Sequence, residues 1–541
     1  MSRKDYLSLF LVSSLVVLGV AFLQSVPGYM DADYYYAGGV QLFRGKGFNE
    51  PFLWNYLDNP DGLPHPSHTY WMPLTSIVVA LGMLLTGSED FLSARIFFIL
   101  VAALLPLWSA RITYAFTFDR NKAMLAGWWA VFSGFYLIYI VNTDSFGLYM
   151  GLGSLFLFLA FVPRFDNRLL IIVGQFLGLG VVSGLMHLAR ADGLLWFAAA
   201  MFLVVWFNIL RAKYSITVGC KKRFLVTWIL FLCVTVGYLV VMVPWYLRNI
   251  QLYGKLLSPA SSRVFWLTDY NQMFAYPAQE VLNISQWSSV LPIEHFQIRW
   301  RALITNLKTT LAVQGEIFLL PLILLGVWKL RRYTITQFAS GMWLLTLFVM
   351  TIVFPLAGQR GGFLHSGAAL QPFLWMAAAV GFEVVVRYGS RKRGWNSDMA
   401  MRVLGAGLIL ISIILSSFLL LQRVVGEDFS RPLWRRNWDR TAEIERELQR
   451  RGANLGDIVI VNNPAGYFLA TGRQAITLPY GDEDTLLKLA IRYHAKYLII
   501  DENTPEGLQH LYEYPQDRQG LDYLASVGDT RIYQIELKKG K

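Results

Sequence analysis

The sequence contains few charged residues and only two cysteines. Asp, Glu, Lys and Arg make up 16% of the 541 residues, whereas about a quarter is usual in a soluble globular protein. The cysteines, Cys220 and Cys233, do not form the pattern of a disulfide framework or of a metal site. These absences exclude a soluble globular enzyme and a small disulfide-stabilised domain.

The sequence also lacks a Gly-rich phosphate-binding loop and an internal repeat. Without such a loop, no nucleotide-binding site is predicted. The net charge of +12 does not indicate nucleic-acid binding, because much of it lies in short loops between apolar segments, where Lys and Arg mark the cytoplasmic side of a membrane protein.

Apolar residues are abundant instead, with 55% hydrophobic residues and a mean hydropathy of +0.42. Runs near the ~20 residues that a transmembrane helix needs recur from residue 7 to residue 421. The candidate spans are 7–26, 71–87, 94–117, 123–141, 145–162, 169–187, 193–210, 224–245, 305–328, 335–354, 365–387 and 401–421. The first run lacks a small-residue cleavage site and should remain as an anchor. The pattern predicts a polytopic α-helical membrane protein with about 11 to 13 transmembrane helices.

Basic clusters predict the sidedness of the chain. Those at the N-terminus, 211–223, 329–333 and 387–394 should be cytoplasmic. This requires that one candidate span before residue 211 does not cross the membrane. The segment 71–87 is predicted to dip instead, because it is short, contains Pro73 and is followed by acidic residues.

The resulting topology has the N-terminus inside and the C-terminus outside a prokaryotic plasma membrane. Four basic residues of short loops then lie inside: Arg120, Lys122, Arg164 and Arg168. The outer face collects the loops 27–70 and 246–304 together with Asp31, Asp144 and Arg190.

The chain changes character after residue 421. Predicted helices at 438–452 and 482–494 alternate with predicted strands at 457–461, 496–501 and 531–537, which is typical of a small α/β domain. The sequence therefore divides into a transmembrane domain, 1–421, and an extracytoplasmic α/β domain, 422–541. In the latter, the turn Gly472-Arg473 is explained equally by turn chemistry and by contact with a substrate.

Two aspartates, Asp31 and Asp33, follow the first span in the stretch YMDADYYYAGGVQLFRGKGF. The stretch has the traits of a helix that ends at Gly45-Lys46-Gly47. One hypothesis makes Asp31 or Asp33 the N-cap of this helix. The other makes Asp31 a general base, with its carboxylate kept ionised by the helix N-terminus.

His65 and His68 lie in a proline-rich loop, DGLPHPSHTYWMP. They are either exposed loop residues or part of the same cavity, where they would bind substrate or share a divalent cation with Asp31 and Asp33. No familiar ligand spacing supports the cation. The sequence therefore assigns no metal ligands and leaves a divalent cation open.

Charged residues also interrupt apolar segments on the outer side. Arg190 and Asp192 break one long apolar run, and such charges are usually functional or paired. Arg248 and Arg360 lie at the same predicted boundary. Arg is suited to hold a phosphate in a poorly solvating site, so that these residues and Asp144 are candidates for substrate binding. The alternatives are an Arg190–Asp192 pair at a hairpin tip and arginines that only reach for lipid headgroups.

Four segments, taken together, resemble the GT-C superfamily of membrane glycosyltransferases. They are DADYYYAGGVQLFRGKGF, HLARADGLLW, PWYLRNIQLYGKLLSP and NNPAGYFLATGRQAITLP, in that order along the chain. Ala191 stands where proline is usual in the second segment. Ala32 stands where the family commonly has a second acid directly after the first.

The resemblance implies an inverting sugar transfer from a polyprenyl-phosphate donor to a hydroxyl of a lipid, glycan or protein at the outer membrane face. Asp31 matches the catalytic position of the family, and the role of Asp33, two residues on, is a helper or a cap. Arg side chains would stabilise the departing lipid phosphate. Two other functions stay open: a transporter or flippase, for which inverted repeats are expected but not found, and an assembly protein that kept the fold and lost activity.

Overall fold

The computed structural model describes residues 1–162, 169–214 and 220–536. Arg164, Arg168 and the middle of the basic loop 211–223 lie outside the described residues, and so does the last residue of the strand predicted at 531–537.

The predicted fold class is confirmed: the protein is an integral membrane protein of apolar helices with a small C-terminal sheet. In the described part of the chain, seven helices are long and apolar enough to cross a membrane: Arg3–Leu23, Phe91–Thr117, Leu169–Ala189, Phe224–Tyr253, Thr334–Val353, Gln371–Arg393 and Ser397–Val425. Four shorter apolar helices accompany them: Leu74–Thr86, Ser145–Phe161, Ala191–Phe207 and Leu320–Leu330.

The remaining helices lie between these and in the tail. Within the described residues they include Met30–Phe43, Arg120–Val131, Tyr136–Tyr139, Pro259–Arg263, Ala278–Val281, Ile284–Ser289, Pro292–Thr309, Phe363–Ala368, Leu433–Arg450, Pro464–Thr471, Glu483–Tyr493 and Gln509–Glu513.

Three predicted spans are wrong as continuous helices. The span 365–387 is divided at residues 369–370, between the helices Phe363–Ala368 and Gln371–Arg393. The span 305–328 is interrupted after Gly315, because Glu316 and Ile317 have left-handed backbone angles, with φ of 45° and 62°. The span 123–141 is interrupted after Val131, where a turn precedes the short helix Tyr136–Tyr139. Hydropathy alone does not reveal such breaks, because the residues on either side of them are equally apolar.

The segment 71–87 forms a helix of 13 residues, Leu74–Thr86, that begins after Pro73. At 1.5 Å per residue such a helix rises roughly 20 Å, less than the ~30 Å hydrocarbon core of a bilayer. Its length agrees with a dipping segment, and the sidedness of the chain stays a prediction.

The tail contains a mixed sheet of six strands in the described residues. The described residues form eight strands in all, of which six belong to this sheet: β1 (Asn49–Glu50), β2 (Phe52–Leu53), β3 (His65–Pro66), β4 (Ile458–Ile460), β5 (Ala475–Ile476), β6 (Ala495–Ile500), β7 (Leu521–Val527) and β8 (Thr530–Ile535). The sheet has the order β2-β5-β4-β6-β8-β7, while β1 and β3 form a separate antiparallel pair.

The sheet is not confined to residues 422–541. Its edge strand β2 comes from the loop 27–70 and pairs in parallel with β5. Leu53 and Tyr56 of this loop are fully buried in the same apolar cluster as Ile460 and Leu498 of the tail. The loop 27–70 and the tail therefore share one core.

The suggestion that the Gly472-Arg473 turn contacts a substrate is wrong. The Arg473 side chain is 0% exposed. Its Nε and Nη2 donate to the two carboxylate oxygens of Glu445 at 2.9 and 2.6 Å, and its Nη1 donates to the carbonyl of Asp457 at 3.0 Å. Because a buried guanidinium needs its charge and its donors satisfied, Arg473 belongs to the core of the tail.

Candidate active site

The helix Met30–Phe43, called here the Asp31 helix, follows the first membrane span. Tyr29 is its N-cap residue, with an extended backbone, and in the described structure no side chain makes a capping hydrogen bond there. Asp31 and Asp33 both lie within the first turns of the helix. The hypothesis that either aspartate is the N-cap is therefore wrong, and capping does not account for either carboxylate.

Two glycines bring the Asp31 helix against the helix Leu74–Thr86. A Cβ atom at Gly38 would lie 2.6 Å from the Ser76 hydroxyl, and one at Gly39 would lie 2.1 Å from a Val79 methyl group. Neither distance is sterically acceptable, so that only glycine permits this approach. The AGG of the stretch YMDADYYYAGGVQLFRGKGF thus fixes the position of the Asp31 helix on its neighbour.

Asp31 lies beside Asp144 and His365. One ligand atom from each of the three side chains lies within 4.8 Å of the other two. Asp31 is partly exposed, whereas Asp144 is 1% exposed. The three residues are far apart in sequence and come from three different segments. We call them the acidic–histidine triad.

The imidazole of His365 is oriented by the backbone and by an aromatic ring. Its Nδ1 lies 2.9 Å from the carbonyl oxygen of Gly361, which can only accept, so that Nδ1 carries a proton. Its ring stacks on Phe146 with centroids 3.7 Å apart. Its Nε2 lies 3.4 Å from Asp144. In a neutral His365, the lone pair of Nε2 would therefore face the carboxylate of Asp144, which is unfavourable. A proton on Nε2, or a cation between the two side chains, would stabilise the contact.

Asp144 is held by hydrogen bonds from its surroundings. It caps the helix Ser145–Phe161 by accepting from the Ser145 N–H, and its Oδ2 accepts from the Tyr29 hydroxyl at 2.8 Å. Although burial acts to raise it, the pKa of Asp144 lies below its usual value, because His365, Tyr29 and Ser145 stabilise the carboxylate. Asp144 is thus held in its ionised form.

The pKa of Asp31 is shifted in the opposite direction. Burial and the negative charge of Asp144 raise the pKa of Asp31 to about 6, while His365 and Arg190 act to lower it. A carboxyl group with a pKa close to neutrality is a more effective proton acceptor than an ordinary one and is still ionised at pH 7. Burial and like charge are common devices for tuning catalytic carboxylates.

Arg190 and Asp192 form a pair next to the triad, as one alternative from the sequence proposed. Nε of Arg190 donates to Oδ1 of Asp192 at 2.9 Å, and the Tyr149 hydroxyl donates to the other carboxylate oxygen at 3.0 Å. Only 17% of the Arg190 side chain is exposed. Because its charge acts on the pKa of Asp31, the guanidinium is within electrostatic reach of that carboxylate.

The other two candidate arginines lie in different surroundings. Arg360 is exposed and its guanidinium lies 4.6 Å from the ring centre of Tyr270. Burial raises the pKa of Tyr270, and the charge of Asp31 adds to this effect. Arg248 instead donates through Nη2 to the carbonyls of Phe48 and Ser67 at 3.1 and 2.8 Å.

Arg248 also lines an apolar pocket of about 380 Å³, whose other walls include Pro73, Leu188 and Trp245. Its guanidinium lies 4.5 Å from the ring centre of Trp245. The pocket therefore offers one cation at the edge of an apolar surface, which suits an amphipathic molecule.

The hypothesis that His65 and His68 share a cation with the aspartates is wrong. His65 lies 2.7 Å from Asp58. His68 is buried between the hydroxyls of Ser67 and Ser76, at 2.7 and 2.9 Å. Burial, followed by the positive charge of Arg248, lowers the pKa of His68 to about 3, so that it is a neutral structural residue.

Asp33 lies outside the triad and faces the tail. Its Oδ2 accepts from the side-chain amide of Asn463 at 2.7 Å, whereas its buried Oδ1 has no partner among the described residues. Burial raises the pKa of Asp33 to about 7, the bond from Asn463 acts to lower it, and the charge of Asp31 acts to raise it.

Sequence reasoning missed His365, Tyr29 and Asn463. His365 lies five residues after Arg360, in the segment AGQRGGFLHS, and an ionisable residue near a predicted membrane boundary was the available signal. Tyr29 and Asn463 were both within segments already singled out, but a tyrosine or an asparagine has no pattern that marks it as a partner of a distant carboxylate.

The sequence matches no protein-family model and no curated protein sequence. The fold, however, is similar to that of solved GT-C membrane glycosyltransferases. The structure of ArnT from Cupriavidus metallidurans bound to undecaprenyl phosphate has a TM-score of 0.55 and 12% identity, with 99% of each chain covered.

Two structures of the Archaeoglobus fulgidus oligosaccharyltransferase are also similar. AglB in complex with an inhibitory peptide and a dolichol-phosphate has a TM-score of 0.54 and 13% identity, over 99% of this chain and 75% of that one. A complex of the enzyme with Zn and sulfate has a TM-score of 0.56 and 13% identity, over 91% and 68%. At these identities the likeness establishes the fold alone.

Proposed function

We propose that the protein is an inverting glycosyltransferase that moves a sugar from a polyprenyl-phosphate donor to a hydroxyl group of a lipid, glycan or protein acceptor. It would act at the outer face of a prokaryotic plasma membrane, with its N-terminus inside and its tail outside. The observation that carries the proposal is the position of Asp31. It is partly exposed beside a buried, ionised Asp144, in a fold whose solved examples bind polyprenyl phosphates.

Asp31 is proposed as the general base. Its carboxylate accepts the proton of the acceptor hydroxyl while the hydroxyl oxygen attacks the anomeric carbon of the donor sugar. The bond from that carbon to the phosphate oxygen breaks on the opposite face, the configuration inverts, and the polyprenyl phosphate leaves with the bonding electrons. The raised pKa of Asp31 supports this role, because the best general base has a pKa near the working pH.

Arg190 is proposed to stabilise the leaving phosphate. Asp192 orients the guanidinium through Nε, and a guanidinium has further N–H donors for the anion. A fixed cation in a poorly solvated site stabilises charge that develops in the transition state. Arg360, which is exposed, would also bind the leaving phosphate. The pocket beside Arg248 would hold apolar parts of the donor.

The triad fits a divalent cation. Ligand bonds of about 2.0–2.6 Å leave ligand atoms up to about 4–5 Å apart, which agrees with the 4.8 Å limit of Asp31, Asp144 and His365. The Nδ1 bond of His365 to the carbonyl of Gly361 leaves Nε2 free to ligate, as is usual for metal-binding histidines. A bound cation would supply positive charge for the phosphate.

The test is the consumption of undecaprenyl-phosphate-linked hexoses and aminosugars by the purified protein. Asp31→Asn is nearly isosteric, and Asp31 does not cap its helix, so the variant should fold and bind undecaprenyl phosphate. It should lose about 10²–10⁴-fold in turnover because it cannot accept the proton.

The matched control is Asp61→Asn, the same substitution in the same outer loop at a fully exposed side chain. It should retain parental turnover. A folded Asp31→Asn protein with full transfer activity would refute Asp31 as the base. A parent that consumes none of the donors would contradict the proposed substrate class.

A further inference from the structure

Asn463 is the N-cap residue of the tail helix Pro464–Thr471, and both the oxygen and the nitrogen of its side-chain amide form hydrogen bonds. Its Oδ1 accepts from the N–H of Gly466 at 3.1 Å and so caps the helix. Its Nδ2 donates to Oδ2 of Asp33 at 2.7 Å. Reversing the amide would lose both bonds, so that the orientation of Asn463 is fixed and its donor necessarily faces the Asp31 helix.

The contact around this bond is tight. A Cβ atom at Gly466 would lie 2.7 Å from Oδ2 of Asp33, so that only glycine allows the tail helix to approach. Ala465 is fully buried and Phe468 is 8% exposed, in one apolar cluster with residues of the Asp31 helix. Those residues are Tyr34, Tyr35 and Ala37. The tail is thus packed directly on the helix that carries the base.

The transmembrane part holds the start of the same helix from the other side. The Tyr29 hydroxyl donates to Asp144 at 2.8 Å, and the Thr143 hydroxyl donates to the carbonyl of Ala32 at 2.9 Å. Asp31 lies between these two attachments and precedes the tail attachment at Asp33 by two residues. Its position relative to Asp144 therefore depends on three contacts, of which the tail supplies one.

We propose that Asn463 is a positioning residue that holds the Asp31 carboxylate in its working place through Asp33. This inference rests on the proposed function, because it takes Asp31 as the base. It assigns Asp33 a docking role and not a second proton-transfer role, which agrees with an exposed fraction of only 5%. The tail is then part of the catalytic machinery and not only a neighbouring domain.

The test separates the capping role of the Asn463 side-chain oxygen from the hydrogen bond that its side-chain nitrogen donates to Asp33. Asn463→Ser keeps an oxygen that can cap the helix but removes the donor to Asp33. It should lose about 10- to 100-fold in turnover, the usual cost of a displaced catalytic group, with the melting temperature and undecaprenyl phosphate binding unchanged. The control is Asn462→Ser, which removes the neighbouring amide that bonds Asp501 within the tail and should retain parental turnover.

The partner residue gives an independent readout. Asp33→Asn can still accept from Asn463 through its amide oxygen, so that it should stay within about threefold of the parent. Asn463→Asp also caps the helix, but its carboxylate would lie against the carboxylate of Asp33. This variant should lose activity. The double variant Asp33→Asn/Asn463→Asp restores the bond in the opposite direction and should recover turnover. A catalytic Asp33 does not predict this order, and a purely structural Asn463 predicts that the melting temperature falls and recovers together with the turnover.

Hydrogen exchange gives a readout that needs no substrate. Asn463→Ser should speed amide exchange in residues 30–36 and leave the membrane helix Phe91–Thr117 as in the parent. The inference is overturned if exchange and turnover both match the parent, or if Asp33→Asn is as inactive as Asp31→Asn. An active Asp31→Asn protein would instead overturn the proposed function, whatever the Asn463 variants do.

Discussion

Arg190 provides the most direct test of where a lipid phosphate binds. Its side chain is 17% exposed, its Nε is committed to Asp192 at 2.9 Å, and its charge reaches Asp31. A hydrogen bond between charged partners contributes roughly 1.5–3 kcal/mol. Replacing Arg190 with Gln should therefore weaken undecaprenyl phosphate binding by about 10- to 150-fold.

The same reasoning ranks the other arginines. Arg248→Gln should have a smaller effect than Arg190→Gln, because the Nη2 donor of Arg248 is already used by two backbone carbonyls. Arg44 is bonded through two nitrogens to Glu89 at the protein surface, and Arg44→Gln should bind the lipid as the parent does. Equilibrium titration of undecaprenyl phosphate into protein in nanodiscs would measure all three variants under one condition.

Removal of Arg190 also leaves the buried Asp192 without its cation, which could unfold the protein locally. Arg190→Lys keeps the charge but not the fork of donors, and should fall between the parent and Arg190→Gln. Melting temperatures would separate loss of fold from loss of affinity. A well-folded Arg190→Gln protein with parental affinity would refute the phosphate site, and an Arg44→Gln protein weakened as much as Arg190→Gln would show that the effect is not local.

Three further outcomes are expected. His365→Ala should weaken Zn²⁺ or Mn²⁺ binding at least about tenfold by calorimetry, since even outer-shell partners of a metal contribute that much; unchanged binding would exclude the triad as the site. Arg473→Met should destabilise the tail by about 3–5 kcal/mol because it leaves the buried carboxylate of Glu445 without its cation, as measured by hydrogen exchange in β6. Lys488→Met, which loses only an exposed ion pair, should leave this exchange as in the parent; equal losses would contradict this. Residues 422–541 expressed alone lack β2, so a peptide of residues 49–58 should raise their melting temperature, and no shift would show that the shared core is dispensable.

Local sequence determined the elements that depend on neighbours along the chain. Apolar runs predicted the membrane helices, because a backbone in lipid must satisfy its hydrogen bonds within one helix. The alternation after residue 421 predicted the tail helices Leu433–Arg450 and Glu483–Tyr493 and the strands β4, β6 and β8, because helical and strand periodicity are local properties of the chain. The stretch YMDADYYYAGGVQLFRGKGF predicted the Asp31 helix and its end at Gly45, whose φ is 70°. Its resemblance to GT-C proteins predicted the fold that the structure shows.

Local sequence did not reveal where an apolar helix is interrupted or which short segment forms the edge strand of the sheet. The turn at Glu316 interrupts an apolar run without a change of hydropathy, and its buried carboxylate is bonded by the Trp375 indole at 3.0 Å. The strand β2 is only two residues long and has no periodicity to detect. It becomes a strand because the free edge of β5 offers it partners.

The site itself was decided by tertiary structure. Asp31 was found from its sequence context, but its pKa depends on Asp144 and on burial, and His365 reaches Asp144 from 221 residues away in the chain. Arg473 had the sequence context of a surface turn and is instead buried against Glu445. Charges act through distance in space and through the medium between them. Sequence can place such residues in segments, but only the packing of those segments determines which carboxylate faces which cation.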